Sequence, residues 1–159
     1  MSIKQAVVSE LSVVKRISEN TILEIYPHYY PKGAVDFFLN HHNENSILED
    51  IRSNRVFLCL DDEQNVVGTV TIKENEICRL FVLPSYQGFG YGTEMLEFAE
   101  KSIKQQYSEI VLDASLPAKR IYQKRGYKER EFNTIQAECG DVLCYDVMAK
   151  EVSSQISNN

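Results

Sequence analysis

Residues Leu80–Leu96 read LFVLPSYQGFGYGTEML, and this stretch decides the fold. A β-branched and aromatic run ends at Pro84. Glycines follow at 88, 90 and 92, and Met95, Leu96, Ala99 and Ile103 then keep helical spacing. The pattern is a strand, a glycine loop and a helix. Glycine loses more backbone freedom on folding than any other residue, so three in five positions need a reason. Backbone N–H groups at a helix N-terminus, helped by the helix dipole, form an anion site suited to phosphate.

The neighbouring segments extend the pattern. RVFLCLDD, NVVGTVTIKE and EICRLFVLP are strand-like and separated by DDEQN and EN, which predicts an antiparallel meander leading into the loop. EIVLDA is a short apolar strand, and PAKRIYQKRGY is a helix with Pro117 in its first turn and Gly126 as its stop. The step from EICRLFVLP to EIVLDA is therefore a right-handed parallel crossover. Upstream, KQAVV reads as a strand. Ser9 caps a helix with an apolar stripe of Leu11, Val14, Ile17, Ile22 and Ile25. AVDFFLNHH and SILEDIRSN read as short helices, the second capped by Ser46 with Glu49 three residues on. YKEREFNTIQAE and DVLCYDVMAKE form a closing hairpin around Cys139-Gly140-Asp141. The expectation is one α/β domain over residues 1–151, with a mixed, mostly antiparallel sheet flanked by helices and a frayed end over 152–159.

Composition narrows the function classes. With 159 residues, 43% hydrophobic and 25% charged, the chain suits one globular domain. A formal charge of −6 without a dense basic run argues against nucleic-acid binding. No apolar run reaches membrane-spanning length and the N-terminus lacks a signal-peptide core, so a cytoplasmic location without membrane partners is expected. Cys59, Cys78, Cys139 and Cys144 show no CxxC pair or zinc-ligand spacing, and neither metal nor disulfide is expected.

Three phosphate-binding patterns compete for the glycines. A P-loop needs Lys-Ser/Thr after its last glycine, whereas Thr93-Glu94 follows Gly92. A dinucleotide fingerprint takes Gly88 and Gly90, but its third glycine falls on Thr93. Asp113 imitates that fingerprint's ribose-binding acid, while the preceding meander argues against the fold. The third pattern, Gln/Arg-x-x-Gly-x-Gly/Ala, is met by Gln87, Gly90 and Gly92. With RLFVLPSY, TEMLEFAEKSI, IVLDAS and Ala118-x-x-x-Tyr122-x-x-x-Gly126-Tyr127, the chain resembles the GNAT superfamily of N-acetyltransferases from about Glu76 to Tyr127.

That resemblance implies a GNAT fold, with a sheet of about seven strands splayed at the cofactor site, and acetyl-CoA as donor with CoA as product. Its pyrophosphate would lie on the amides of Gly88, Phe89, Gly90, Tyr91, Gly92 and Thr93. The strand before the loop would carry a bulge and offer the backbone of Leu80, Phe81 and Val82 to the pantetheine arm, with an N–H near Val82 for the oxyanion. Tyr122 matches the tyrosine that protonates the leaving thiolate. Ser115 stands where many members carry Asn and reaches less far. Lys119, Lys124 and Arg125 are candidates for the ribose 3′-phosphate.

The acceptor end is less defined. Glu76 is the candidate general base, with Glu74 beside Tyr29 or His28 as the alternative. Tyr29, Tyr30 and Phe37, with Tyr26 and Phe38, would wall a slot for the acceptor, and His41-His42 read as a helix-end pair. The expectation is direct transfer of acetyl to a primary amine, on a small molecule or a peptide; dimers are frequent in the family. A Cys-linked route through Cys78 lacks a base. An acyl-CoA sensor without turnover and a dinucleotide oxidoreductase are the alternatives.

Overall fold

The computed structural model describes residues 1–153, so most of the expected frayed end lies outside the described residues. Val152, placed in that end by the sequence, is anchored: its N–H donates to Ser108 O at 2.8 Å.

The elements follow the expected order. They are β1 (Ser2–Gln5), α1 (Leu11–Ile25), α2 (Lys32–His41), α3 (Glu44–Arg52), β2 (Val56–Leu60), β3 (Val66–Lys73) and β4 (Glu76–Val82). Then come α4 (Tyr91–Ile103), β5 (Glu109–Ala114), α5 (Leu116–Lys124), β6 (Lys128–Gln136) and β7 (Val142–Glu151). The seven strands form one sheet in the order β1-β2-β3-β4-β5-β7-β6. Only β4 and β5 run parallel; every other pairing is antiparallel.

Some local expectations shift. The first strand ends at Gln5, ahead of Ala6-Val7-Val8. Ser9 does not cap α1: it lies in a 3-10 turn, where the Glu10 carboxylate accepts from Val7 N–H at 3.0 Å. The cap of α3 is Asn43, whose side-chain oxygen accepts from the Ser46 N–H at 3.0 Å. Asn is a cap as effective as Ser, and it opens the helix a turn earlier than Ser46 would.

The core lies on both faces of the sheet. On one, α1 and α3 bury Val14, Ile47 and Ile51 against Val56 and Leu58, while α1 and α2 enclose Phe81 and Leu143. On the other, Met95, Leu96, Ala99 and Ile103 of α4 pack with Val67, Val70, Ile110 and Leu112. Gly68 makes room there, since a Cβ on it would stand 2.7 Å from Met95 Cε.

The sheet parts in its middle. β4 and β5 pair only at Glu76–Val111 and Ile77–Leu112. Arg79 faces Thr71 and Ile77 faces the adjacent Ile72, so Cys78 is the extra residue of a bulge in β4. Ile77 therefore joins the core under α4 and α5, while Arg79, two residues on, turns toward α3. From Cys78 to Val82, β4 diverges from β5 and leaves its edge open.

Candidate active site

A cavity of about 850 Å³ occupies this gap. Leu83 N–H donates to Val67 O at 2.9 Å, and Phe81 stands opposite Thr69. Alternation along the strand turns the backbone of Phe81 to β3 and that of Leu80 and Val82 to the open edge. The Val82 carbonyl already accepts from Gln87 Nε2 at 3.0 Å and Thr21 Oγ1 at 3.2 Å. The free groups on this edge are thus the N–H and C=O of Leu80 and the N–H of Val82.

The edge leads to the glycine loop. Among the described residues, no N–H from Gly88 to Thr93 donates to a protein acceptor, whereas Gln87 N–H is bound by Pro84 O. Gly88 and Gly90 have φ of +84° and +90°, and a Cβ on either would meet nothing within 4 Å. Their need for glycine is conformational, because left-handed backbone disfavours other residues. Gly92 has no such need: it sits in the first turn of α4, and a Cβ there would touch Val82 Cγ2 at an ordinary 3.7 Å. The result is a row of unbonded amides before a helix of 13 residues, an arrangement that suits a phosphate or pyrophosphate.

Tyr122, from the inner face of α5, enters the same cavity. Its ring stands edge-on to Tyr127 at 5.7 Å, and burial raises the phenol above its usual range, which keeps it protonated. Ser115, at the start of α5, and Arg125, at its end, also line the cavity. Arg125 Nη1 lies 3.2 Å from Glu97 and Nη2 3.6 Å from Glu100, and its Nε is buried without a partner. Lys119 lies outside the cavity lining and is held by Glu129 at 3.1 Å and Asp146 at 2.9 Å. Phe89 and Tyr91 take part in the amide row through their backbone; the Phe89 side chain is 72% exposed and the Tyr91 ring packs edge-on to Tyr86.

Glu76 and Asp113 flank the closed end of the gap. Burial, with Asp113 nearby, raises Glu76 above the usual carboxylate range, and burial does the same for Asp113. Glu74 lies outside, in the β3–β4 turn. Asp113 sits one residue beyond the Ile77–Leu112 pair, far along β4 from the glycines, and the meander before the loop is antiparallel. A dinucleotide fold needs the opposite of both.

On the face of α1 and α2, Tyr26, Phe37 and Phe38 wall the cavity. Tyr29 is half exposed and outside it. Tyr30 is 6% exposed and structural: its hydroxyl donates to Cys144 O at 3.1 Å and accepts from Leu116 N–H at 2.8 Å, tying α5 to β7. Thr21, His42, Arg79 and Tyr145 are among the lining side chains that the sequence did not single out as site residues. Arg79 donates from Nη2 to Asp50 Oδ2 at 2.7 Å, from Nη1 to Thr71 Oγ1 at 3.0 Å and from Nε to His42 Nδ1 at 3.2 Å. A lone arginine inside the apolar run Ile77–Val82 was the available signal, because a buried cation demands partners.

Comparison with known proteins agrees with this geometry. The profile of the family described as acetyltransferase (GNAT) domain matches residues 25–142. Among curated proteins, none matches the chain. Among solved structures, a GCN5-related N-acetyltransferase from Rhodopseudomonas palustris superimposes with a TM-score of 0.86 at 21% identity, covering 95% of each chain. The PaiA N-acetyltransferase from Thermoplasma acidophilum, solved with coenzyme A, gives a TM-score of 0.72 at 19% identity over 94% of this chain and 98% of that one. The yncA structure from Salmonella typhimurium, solved with acetyl-CoA, gives 0.73 at 12% identity over 100% and 98%. Profile, sheet order, bulge and parted strands agree, and the chain belongs to the GNAT acetyltransferase family.

Proposed function

We propose that the protein is an acetyl-CoA-dependent N-acetyltransferase, contained in residues 1–151, that passes acetyl directly to a primary amine. One observation carries this reading: the open edge of β4 leads from the unbonded amides of Gly88–Thr93 past Tyr122 into a cavity closed by Glu76. A pyrophosphate fits the amide row, and an extended amide-bearing arm fits the free backbone groups of Leu80 and Val82.

When bound, acetyl-CoA supplies an acyl carbon activated by a thiolate leaving group. In the transfer the amine nitrogen would bond to that carbon and the C–S bond would break with its electron pair on sulfur; the proton Tyr122 gives to sulfur would be balanced by the one the nitrogen sheds. Tyr122 is placed and protonated to deliver a proton to the sulfur. The Val82 N–H faces the edge where the carbonyl oxygen would gather charge. An alkylammonium has a pKa near ~10, so a base must first accept its proton, and Glu76 holds that role through water. Burial pushes the Cys78 thiol up to about 12, which withholds the thiolate that a covalent acyl-enzyme would need. A cytoplasmic place of action accords with four free cysteines. Among the described residues, no helix is long and apolar enough to cross a membrane.

Calorimetry with acetyl-CoA, followed by thiol release across a panel of amines, tests the reading. Saturable acetyl-CoA binding with amine-dependent CoA release is expected. Binding without release from any amine would favour a sensor, and no binding would overturn the assignment.

A further inference from the structure

His42 ends α2 at the wall of the cavity, and its ring is fixed on several sides. Arg79 Nε donates to its Nδ1 at 3.2 Å, Phe81 meets the ring edge-on at 5.4 Å, and His41 does so at 4.9 Å. Arg79 is permanently charged and has only protons to give, so the ring nitrogen it meets must accept. The other nitrogen, Nε2, therefore carries the proton; the opposite ring orientation would set a C–H against the Arg79 N–H and lose this bond. Among the described residues that second nitrogen has no hydrogen-bond partner. It is not sealed away either, because the one fully occluded polar side-chain atom lacking a partner among the described residues is Arg125 Nε.

We propose that the free N–H of His42 is a fixed neutral donor that selects acceptor amines bearing a carbonyl or carboxylate oxygen close to the nitrogen. This inference rests on the acetyl-transfer reading. Phe37, Phe38 and Phe81 make this side of the cavity largely apolar, so an unanswered N–H there is costly. A second ammonium on the acceptor offers only donors and cannot answer it, and the Arg79 guanidinium behind the ring opposes a cation. An oxygen answers both. The histidine cannot serve as the base, because the lone pair of its other nitrogen is held by Arg79. Burial, with Arg79, His41 and Lys73 nearby, lowers His42 to about 3, so its donor character is constant across neutral pH. Asp50, on α3, is the counter-charge, and it is bound to Arg79 and to Lys73 Nζ at 3.0 Å.

The test compares kcat/KM for alaninamide, alanine and isopropylamine in the wild type, His42→Leu and His42→Gln. The first two amines separate carbonyl from carboxylate. The wild type should prefer at least one of them to isopropylamine, and His42→Leu should shrink that preference about tenfold, through KM. His42→Gln should recover part of it, since its amide oxygen can accept from Arg79 while its N–H faces the cavity; with rates referred to the free-amine concentration, the wild-type preference should hold from pH 6 to 9. An unchanged preference in His42→Leu, no preference in the wild type, or turnover of none of the three would overturn the proposal. Acetyl-CoA binding, measured separately, shows whether the acetyl-transfer reading falls with it.

Discussion

Arg79 and Asp50 are 3% and 2% exposed, and their side chains meet at 2.7 Å between β4 and α3. The pair joins the bulge to the helix layer and holds the guanidinium whose Nε orients His42. Two buried charges cost much to desolvate and recover it only through mutual contact. Lys73 at 3.0 Å and Arg55 at 3.7 Å add positive charge around the same carboxylate.

Asp50→Ala should therefore lower stability by about 3–5 kcal/mol, since Arg79 stays buried without its counter-ion. Replacing both, as Asp50→Leu with Arg79→Met, should restore most of that loss. Urea unfolding midpoints at constant slope measure both. Equal losses in the single and double variants would show that the contact matters little.

How much of this was legible follows from range. The strand, glycine loop and helix at Leu80–Leu96 were readable because every signal lies within seventeen residues. Tyr122 was readable because the Ala118–Tyr127 motif is equally local. The Asp50–Arg79 pair spans 29 residues and two elements, so the sequence offered only an arginine that needed a partner. Tyr29, Tyr30 and Phe37 had equal claims as cavity walls. Of these three only Phe37 lines the cavity: Tyr29 stands exposed ahead of α2, and Tyr30 turns its hydroxyl to Cys144 and Leu116. Lys119 is engaged outside the cavity lining, because Asp146, 5% exposed on β7, and Glu129 hold its ammonium, a long-range pairing that local sequence does not show.

The glycines separate folding from binding. Gly90 has φ +90°, so Gly90→Ala should lose about 1 kcal/mol or more of stability. Gly92 is helical with room for a methyl group, so Gly92→Ala should keep or gain roughly 0.4–1 kcal/mol. Gly92→Asp sets a carboxylate at the amide row and should abolish acetyl-CoA binding while the protein stays folded. Thermal melts paired with calorimetry distinguish the effects. Undiminished binding by Gly92→Asp would place the pyrophosphate elsewhere.

Tyr122→Phe should retain acetyl-CoA affinity and lower kcat by ~10²-fold, the usual scale for a positioned acid. Because burial raises the phenol, the wild-type rate should not fall through Tyr122 ionisation between pH 8 and 10. A Phe variant with the wild-type kcat would remove Tyr122 from the acid role.

Glu76 links activity to pH and to stability with opposite signs. Its pKa is raised in the folded state above the ordinary glutamate value, through burial first and Asp113 second. A raised folded pKa means that the folded protein binds the proton more tightly than the unfolded chain. This contribution to stability is complete below the unfolded pKa and is lost as pH rises through the folded one. At neutral pH the ionised carboxylate is therefore a burden on the fold. Glu76→Gln should unfold at a higher urea concentration than the wild type at pH 7, and the gap should close toward pH 4. The same variant should lose turnover at neutral pH if Glu76 accepts the ammonium proton, and the loss should narrow toward low pH, where the wild-type carboxyl is itself protonated. Wild-type kcat/KM in Glu76→Gln, with the stability gain present, would leave Glu76 a strained wall residue and move the base to Asp113 or to water alone.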